Sequence, residues 1–139
     1  MREALKQAVL ASESGEIPVG AVVVCEGRII ARAHNQVEML RDPTAHAEMI
    51  AITSAAEYLG GKFLDSCTMY VTMEPCTMCA GALYWARIGN LVFGAADPKR
   101  GYRLRGAGLL HPKTQVESGV LADASTAMLN TFFRDMREE

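Results

Sequence analysis

The segment T-M-Y-V-T-M-E-P-C-T-M-C (68–79) runs from a strand-like stretch, through a proline, into two cysteines three positions apart. Its first half (68–73) favours a β-strand, and a helix is predicted over 76–87 with Pro75 at its beginning. Cysteines at positions i and i+3 share one helical face, so their sulfurs can reach the same ion. The positive end of a helix also lowers the pKa of a thiol, which favours the thiolate that binds metal. The segment therefore predicts a strand–helix junction that can hold a metal.

A second motif, T-A-H-A-E (44–48), opens another predicted helix, over residues 45–59 and ending before Gly60. Thr44 is the predicted N-cap of this helix, and His46 and Glu48 fall in its first turn. Apolar residues cover most of its circumference, which predicts burial on several sides. Both motifs thus lie at helix starts, where function gathers in α/β sheets.

The rest of the chain indicates an α/β fold in a single domain of residues 1–139. A hairpin followed by alternating helices and strands predicts a three-layer αβα architecture, in which a mixed five-stranded sheet carries helices on both faces. The remaining predicted elements are a helix over 2–14, strands over 19–25, 28–33 and 90–95, a short strand near 115–118, and a C-terminal helix.

The two terminal helices are predicted to be amphipathic, each with one apolar stripe toward the core. In the first helix the stripe consists of Leu5, Ala8, Val9 and Ser12. In the C-terminal helix it consists of Leu121, Ala124, Met128, Phe132 and Met136.

Composition gives no general attraction to nucleic acid, because the formal net charge is −2 and the pI is about 5.9. Any such affinity must come from a local patch. The Gly-rich segment 97–113 provides one, and Tyr102 and His111 are available there for base stacking. A solvated surface loop explains the same composition. The basic residues of this segment, which contains a single acid, are Lys99, Arg100, Arg103, Arg105 and Lys113.

No hydrophobic signal segment follows Met1, and no apolar stretch approaches the roughly 18–20 residues of a membrane span. We therefore expect a cytoplasmic protein that makes no membrane contact. A disulfide is not expected in a reducing compartment. Cys25 and Cys67 lie in apolar, strand-like runs and are interpreted as small buried side chains.

Two thiolates and one imidazole, from Cys76, Cys79 and His46, make the Cys₂His ligand set of a catalytic zinc site. In such a site the fourth position stays open to water. The softness of the ligands indicates Zn²⁺, one ion per chain, and iron is the alternative metal. Glu48, two residues from a ligand, is predicted to face the open position and to take a proton from the water.

The cysteine pair alone has two other interpretations. It could be a redox dithiol, which also opens a helix after a strand, or half of a structural zinc site. A structural site needs a fourth ligand, and the candidates, none with paired spacing, are Cys25, Cys67, His34 and His111. The conjunction of H-x-E with P-C-x-x-C favours the catalytic metal.

These motifs also carry a family resemblance that covers nearly the whole chain. H-x-E with P-C-x-x-C marks the cytidine deaminase-like superfamily of zinc nucleobase deaminases. Within it the chain resembles the bacterial tRNA-specific adenosine deaminases. The matching stretches are G-E-I-P-V-G-A-V-V-V (15–24), H-N (34–35), D-P-T-A-H-A-E (42–48), Y-V-T-M-E-P-C-T-M-C-A-G-A (70–82), A-R-I (86–88), F-G-A-A-D-P-K (93–99) and F-F-R (132–134).

The resemblance implies hydrolytic deamination of adenosine to inosine at the wobble position of a tRNA anticodon, with release of ammonia. Glu48 would shuttle protons to the flipped-out adenine ring and to the departing ammonia. Asn35 would hydrogen-bond the nucleoside, and backbone groups around Ala47, Glu74 and Pro75 would line the base pocket.

The resemblance further implies a homodimer whose partner subunit helps to bind the anticodon stem-loop. The stretch K-R-G-Y-R-L-R-G-A-G-L-L-H-P-K (99–113) departs from the family, because it is shorter and more basic than the usual pattern. No RNA contact is carried over from the family there. By charge alone, the candidate RNA contacts are Lys99, Arg100, Arg103 and Arg105.

Two rival functions follow from the same motifs. A guanine deaminase shares H-A-E and E-P-C-x-M-C, and G-A-L-Y-W-A-R (81–87) resembles that group as well. The basic segment and D-P-T-A-H-A-E favour the tRNA enzyme. A zinc-stabilised RNA-binding module without catalysis is the other rival, and Glu48 is an argument against it, since a structural site needs no carboxylate beside the metal.

Overall fold

A computed structural model describes residues 1–138 of the chain. Five strands form one mixed sheet, as predicted: β1 (Gly20–Cys25), β2 (Arg28–His34), β3 (Cys67–Met73), β4 (Asn90–Ala95) and β5 (Gln115–Glu117). Their order in the sheet is β2-β1-β3-β4-β5. The helices are α1 (Arg2–Glu13), α2 (Val37–Leu40), α3 (Ala47–Leu59), α4 (Thr77–Ala86) and α5 (Ala122–Glu138), with 3₁₀ turns at Tyr102–Arg105 and Ala107–Leu109.

The sheet changes direction at its centre. β1 pairs antiparallel with β2 in a hairpin and antiparallel with β3, whereas β3–β4 and β4–β5 are parallel. The crossover helix α4 joins the parallel strands β3 and β4. The carboxyl ends of these strands therefore open onto one edge of the sheet, where α4 begins.

Side chains alternate between the two faces of the sheet and contribute to two separate buried layers. On one face, strand residues such as Val23, Met69 and Phe93 pack with the alanines and leucine of α3 and α4 in the main core. On the other face, α1 packs on β1, β2 and β3, and α5 packs on β3 and β4. Val22 and Val92 are buried outside the main core. This arrangement is the predicted three-layer αβα architecture.

Helix α1 lies unusually close to the sheet, because only small residues separate the two. A side-chain carbon on Gly20 would collide with the backbone of Ala4 and Ala8. The buried stripe of α1 is consequently Ala4, Ala8 and Ala11, while Val9 is exposed. Of the predicted stripe, Ala8 is buried as expected, but the prediction was wrong for Val9, because steric fit at Gly20 decides the helix rotation.

The buried face of α5 also differs from the prediction. Ser125 and Leu129 are buried, whereas Ala124 and Met136 are exposed. The Ser125 hydroxyl donates a hydrogen bond of 2.5 Å to the carbonyl of Thr72 in β3. This contact sets the rotation of the helix, and hydrophobic spacing alone did not reveal it.

Helix α3 begins two residues later than predicted, at Ala47, with His46 as its N-cap residue. Thr44 is not the cap; its hydroxyl donates to Asp42 Oδ1 at 2.7 Å. The first helical N–H, that of Ala47, is donated instead to Asn35 Oδ1 at 2.8 Å. A residue twelve positions earlier thus supplies the cap, which a local signal cannot predict.

Burial of α3 is one-sided in the single chain. Its inward face carries Ala51 and Ala55, while Ser54 and Tyr58 are exposed. The predicted burial on several sides therefore does not hold within one chain. None of the helices in the described part of the chain is long and apolar enough to cross a membrane.

Candidate active site

Two helix starts meet at the carboxyl edge of the sheet. His46 directly precedes α3, Cys76 directly precedes α4, and Cys79 lies in the first turn of α4. The ligand atoms of these three residues all lie within 4.8 Å of one another. His46 Nδ1 is 3.7 Å from the Cys76 sulfur and 3.5 Å from the Cys79 sulfur. The fold thus brings together the three predicted ligands.

The donor set fits a divalent cation. Hydrogen bonding from Cys79 is the main effect that lowers the pKa of Cys76, to about 4. The same contact with Cys76, together with burial, raises the pKa of Cys79 far above its ordinary value. Contact and burial therefore oppose ionisation of the second thiol, Cys79. A Zn²⁺ held by the two sulfurs and His46 would stabilise both thiolates.

A structural zinc site fits the geometry less well. Within residues 1–138, His46, Cys76 and Cys79 form the group that can ligate an ion, and no fourth such residue joins them. Cys25 and Cys67 face each other where β3 begins, at the opposite end of that strand from Cys76. Three protein ligands leave one coordination position for water or substrate, as in catalytic zinc sites.

Glu48 lies beside this centre without belonging to the ligand group. Its side chain is in the first turn of α3, and the residue is only 4% exposed. Burial raises the pKa of its carboxyl group to about 7. A carboxyl group with this pKa can both accept and release a proton near neutral pH.

Asn35 links the start of α3 to the segment that precedes β1. Its Oδ1 accepts the Ala47 N–H, and its Nδ2 donates to the carbonyl of Ile17 at 3.1 Å. One N–H of the amide remains for another partner. The Ala47 N–H is already bonded within the chain, and so is the carbonyl of Pro75, which accepts the Tyr102 N–H at 2.9 Å.

The basic segment 97–113 reaches the metal centre at its near end, where Gly101 and Cys76 form an antiparallel bridge. Lys99, Arg100 and Arg105 are exposed. Arg103 is instead paired with the buried carboxylate of Glu74, at 3.1 Å between Nη2 and Oε1.

The aromatic residues of this segment do not form the expected stacking platform. Tyr102 is only 4% exposed and packs edge-on against Phe93, so the prediction that it is available to bases was wrong. His111 is half-buried, with its ring 5.5 Å from that of Tyr84.

The sequence of the first 95 residues matches the family described as the cytidine and deoxycytidylate deaminase zinc-binding region. A tRNA-specific adenosine deaminase of Bacillus subtilis is 46% identical over 144 residues, which span 100% of this chain and 89% of that protein. A solved structure from studies of A-to-I editing by tRNA:A34 deaminases superposes with a TM-score of 0.87 and 44% identity, covering 93% of this chain and 97% of that one. The chain belongs to the tRNA-specific adenosine deaminase family.

A guanine deaminase of Bacillus subtilis is also similar, with 44% sequence identity, but the match covers 68% of this chain and 61% of that chain, with a TM-score of 0.65. The tRNA deaminase structure thus matches more of the chain and more closely. Membership of the zinc-binding deaminase family, together with the three converged ligands, identifies this protein as a zinc enzyme.

Two further carboxylates of this deaminase were missed as functional side chains in the sequence. Glu16 is buried and accepts the backbone N–H groups of Glu38 and Met39, each at 2.9 Å, which fixes the start of α2. Glu74 is buried and accepts the N–H groups of Asp97 and Arg103. Both lie in apolar segments, G-E-I-P and M-E-P-C. An acid in such a segment must be partnered, and this was the available signal.

We expect the purified enzyme to contain about one zinc ion per chain. Cys79→Ala should lose most of this zinc, because the site has three protein ligands within residues 1–138 and the variant keeps two. The measurement is elemental analysis after dialysis. Cys25→Ala is the control, since Cys25 lies at the far end of the sheet from the metal centre, and it should keep its zinc. Retention of zinc by Cys79→Ala, or its loss from the control, would contradict this assignment.

Proposed function

We propose that this zinc deaminase converts adenosine to inosine at the wobble position of a tRNA anticodon, with water as the second substrate and ammonia as the second product. The observation that carries the proposal is the metal-ligand cluster with buried Glu48 beside it, in a chain 46% identical over its whole length to a tRNA-specific adenosine deaminase. Residues 1–139 would form one domain. The enzyme would act in the cytoplasm, because its proposed substrate is tRNA.

The residues divide the chemistry between them. His46, Cys76 and Cys79 would hold Zn²⁺, which when bound lowers the pKa of a coordinated water and makes it nucleophilic near neutral pH. Glu48 would accept one proton of that water and pass it to the adenine ring, then accept the second proton of the same water and give it to the amino group, which leaves as ammonia. The pKa of about 7 supports this role, because the carboxyl group must take up and release a proton twice in each turnover.

Binding of the base would use groups around the metal. Asn35 would donate its remaining N–H to an acceptor on the nucleoside, and its hydrogen bonds to Ile17 and Ala47, which hold the amide in one orientation, support this role. The backbone at Ala47, Glu74 and Pro75 would form the wall of the base pocket. The adenosine must leave the stack to enter such a site, which favours the single-stranded loop of a hairpin over a duplex.

The decisive experiment compares substrates. An anticodon stem-loop with adenosine at the wobble position should release ammonia and yield inosine, whereas guanine, cytosine and free adenosine should react far more slowly. The same hairpin with guanosine at the wobble position is the control. Ammonia release and nucleoside analysis measure the outcome. Turnover of guanine without turnover of the hairpin would assign the chain to the rival guanine deaminase function.

Glu48→Gln should reduce kcat on the hairpin by roughly 10²–10⁴-fold, the usual contribution of a positioned proton-transfer group. Its zinc content should stay unchanged, because Glu48 is outside the ligand group. Glu57→Gln, an exposed position on the same helix, is the matched control and should behave like the native enzyme. If zinc disappears together with activity, Glu48 acts as a structural residue of the centre and the proposed role is wrong.

We also propose that the enzyme is a homodimer that pairs through the outer face of α3 and α4. That face carries an open groove of about 880 Å³, lined by apolar residues such as Ile52, Phe63 and Trp85 and by the cations Lys62 and Arg87. Trp85 is 78% exposed in the single chain, and burial of such a large ring favours association. The groove runs along the middle of α3 and the C-terminal end of α4, whereas the metal ligands stand at the N-terminal ends of both helices.

Trp85→Glu should shift the protein from dimer to monomer in analytical ultracentrifugation, because a carboxylate replaces the largest exposed apolar side chain of the groove. Met136→Glu alters another exposed apolar residue, on α5, and is expected to leave the dimer intact. A native protein that sediments as a monomer at micromolar concentration would rule out this interface.

A further inference from the structure

The buried carboxylate of Glu74 connects the metal centre to the basic segment. Glu74 stands two residues before the ligand Cys76 and is 5% exposed. Its Oε1 accepts the backbone N–H of Asp97 at 3.0 Å, and its Oε2 accepts that of Arg103 at 3.1 Å. One side chain therefore holds both ends of residues 97–103, which we call the basic turn.

Backbone contacts complete this attachment. The Tyr102 N–H donates to the carbonyl of Pro75 at 2.9 Å, and the Gly101 N–H donates to the carbonyl of Asp97 at 3.0 Å. Gly101 also forms an antiparallel bridge with Cys76. The position of the basic turn relative to the metal ligand is thus set at three successive residues, 74 to 76.

Gly101 is required by the space that the carboxylate occupies. A side-chain carbon at this position would collide with the carboxyl group of Glu74. The φ of Gly101 is −62°, an ordinary value for any residue, so backbone conformation does not demand glycine here. Contact with Glu74 therefore explains the glycine, and the two residues form one unit.

The three cations of the basic turn fall into two groups. The guanidinium of Arg103 bonds Glu74 Oε1 at 3.1 Å and lies 4.9 Å from the centre of the Phe93 ring, so this side chain, although 48% exposed, is already paired within the protein. Lys99 and Arg100 are exposed on the same turn. Their backbone N–H groups both donate to Asp97 Oδ1 at 3.0 Å, which ties them to the residue that Glu74 holds.

We propose that Glu74 is a positioning residue for the RNA substrate: its carboxylate fixes the basic turn beside the metal centre, so that Lys99 and Arg100 meet the phosphate backbone of the bound loop. Arg103 belongs to this attachment and makes no phosphate contact. The inference rests on the proposed tRNA activity for its substrate, whereas the attachment itself is testable without RNA.

Two variants disturb the same contact in different ways. Glu74→Gln keeps the shape, but its NH₂ group must face a donor, either the Arg103 N–H or the Asp97 N–H with the guanidinium. Gly101→Ala displaces the carboxylate with no change in charge. If one variant fails to fold, the other still provides the test.

In both variants we expect the amides of residues 97–103 to exchange hydrogen roughly tenfold faster or more, since a hydrogen bond to a charged group has been weakened. The KM for the wobble-adenosine hairpin should rise about tenfold, with kcat changed less than about threefold and zinc content unchanged, because the reacting groups are not altered. Hydrogen exchange by mass spectrometry, steady-state kinetics and elemental analysis are the measurements.

Two controls separate positioning from stability and from charge. Ser125→Ala removes a buried hydrogen bond to Thr72 on the other face of the sheet, and should lower stability while leaving KM unchanged. Arg100→Gln removes an exposed cation without touching Glu74. It should raise KM and reduce the slope of log KM against log salt by about one, with exchange of the basic turn unchanged.

The outcomes distinguish this inference from the proposed function. A native enzyme that does not deaminate the hairpin would refute the function, and the exchange data would still report on the attachment. An active native enzyme whose Glu74→Gln and Gly101→Ala variants show native exchange and native KM would refute the positioning role. A parallel loss of kcat and zinc in these variants would place Glu74 in the metal centre instead, and would equally overturn the positioning role.

Discussion

The constraint on which the rest of the site depends is the close approach of three donor atoms, the sulfurs of buried Cys79 and partly buried Cys76 and a nitrogen of His46, which lie within 4.8 Å of one another. Contact between the two thiols lowers the pKa of Cys76, and the same contact together with burial raises the pKa of Cys79, so ionisation of both thiols is opposed. A divalent cation would stabilise both as thiolates. Its ligands come from the starts of two different helices, so the site forms only once α3 and α4 are packed on the sheet. Binding of the metal and formation of the fold therefore support each other.

Three glutamates within residues 1–138 are buried, Glu16, Glu48 and Glu74, and their partners determine their chemistry. Glu16 holds the start of α2 through two backbone N–H groups. For Glu74, burial acts to raise the pKa, but hydrogen bonds from Arg103 and Asp97 outweigh it, and the pKa lies below its ordinary value. For Glu48, burial prevails, and the pKa rises to about 7. One residue type thus serves as a fixed anion that orders the backbone and as a group that can exchange protons.

The chain resembles enzymes of two substrate classes, and the difference lies outside the metal ligands. The ligands and Glu48 are compatible with either a free base or a base within RNA. The match to tRNA deaminases extends over the whole chain, and the exposed cations Lys99 and Arg100 are held beside the ligand Cys76 by the contacts of Glu74. Under our proposal, the basic turn attached to the metal centre favours RNA over a free base, since the metal ligands and Glu48 are compatible with both.

Within residues 1–138, sequence alone predicted the five strands, four of the five helices and the metal ligands, but not the short helix α2. The elements follow from strand-like runs and helical periodicity, and the ligands from cysteine spacing along one helix and the pairing of H-x-E with P-C-x-x-C. The mixed sheet and its helices on both faces followed from the order of those elements. Tertiary structure alone decided the cap of α3 by Asn35, the rotation of α1 against Gly20, the burial of Tyr102 and the partners of Glu74. Each of these depends on contacts between residues far apart in the chain, where steric fit and unsatisfied hydrogen bonds act, and no local pattern records them.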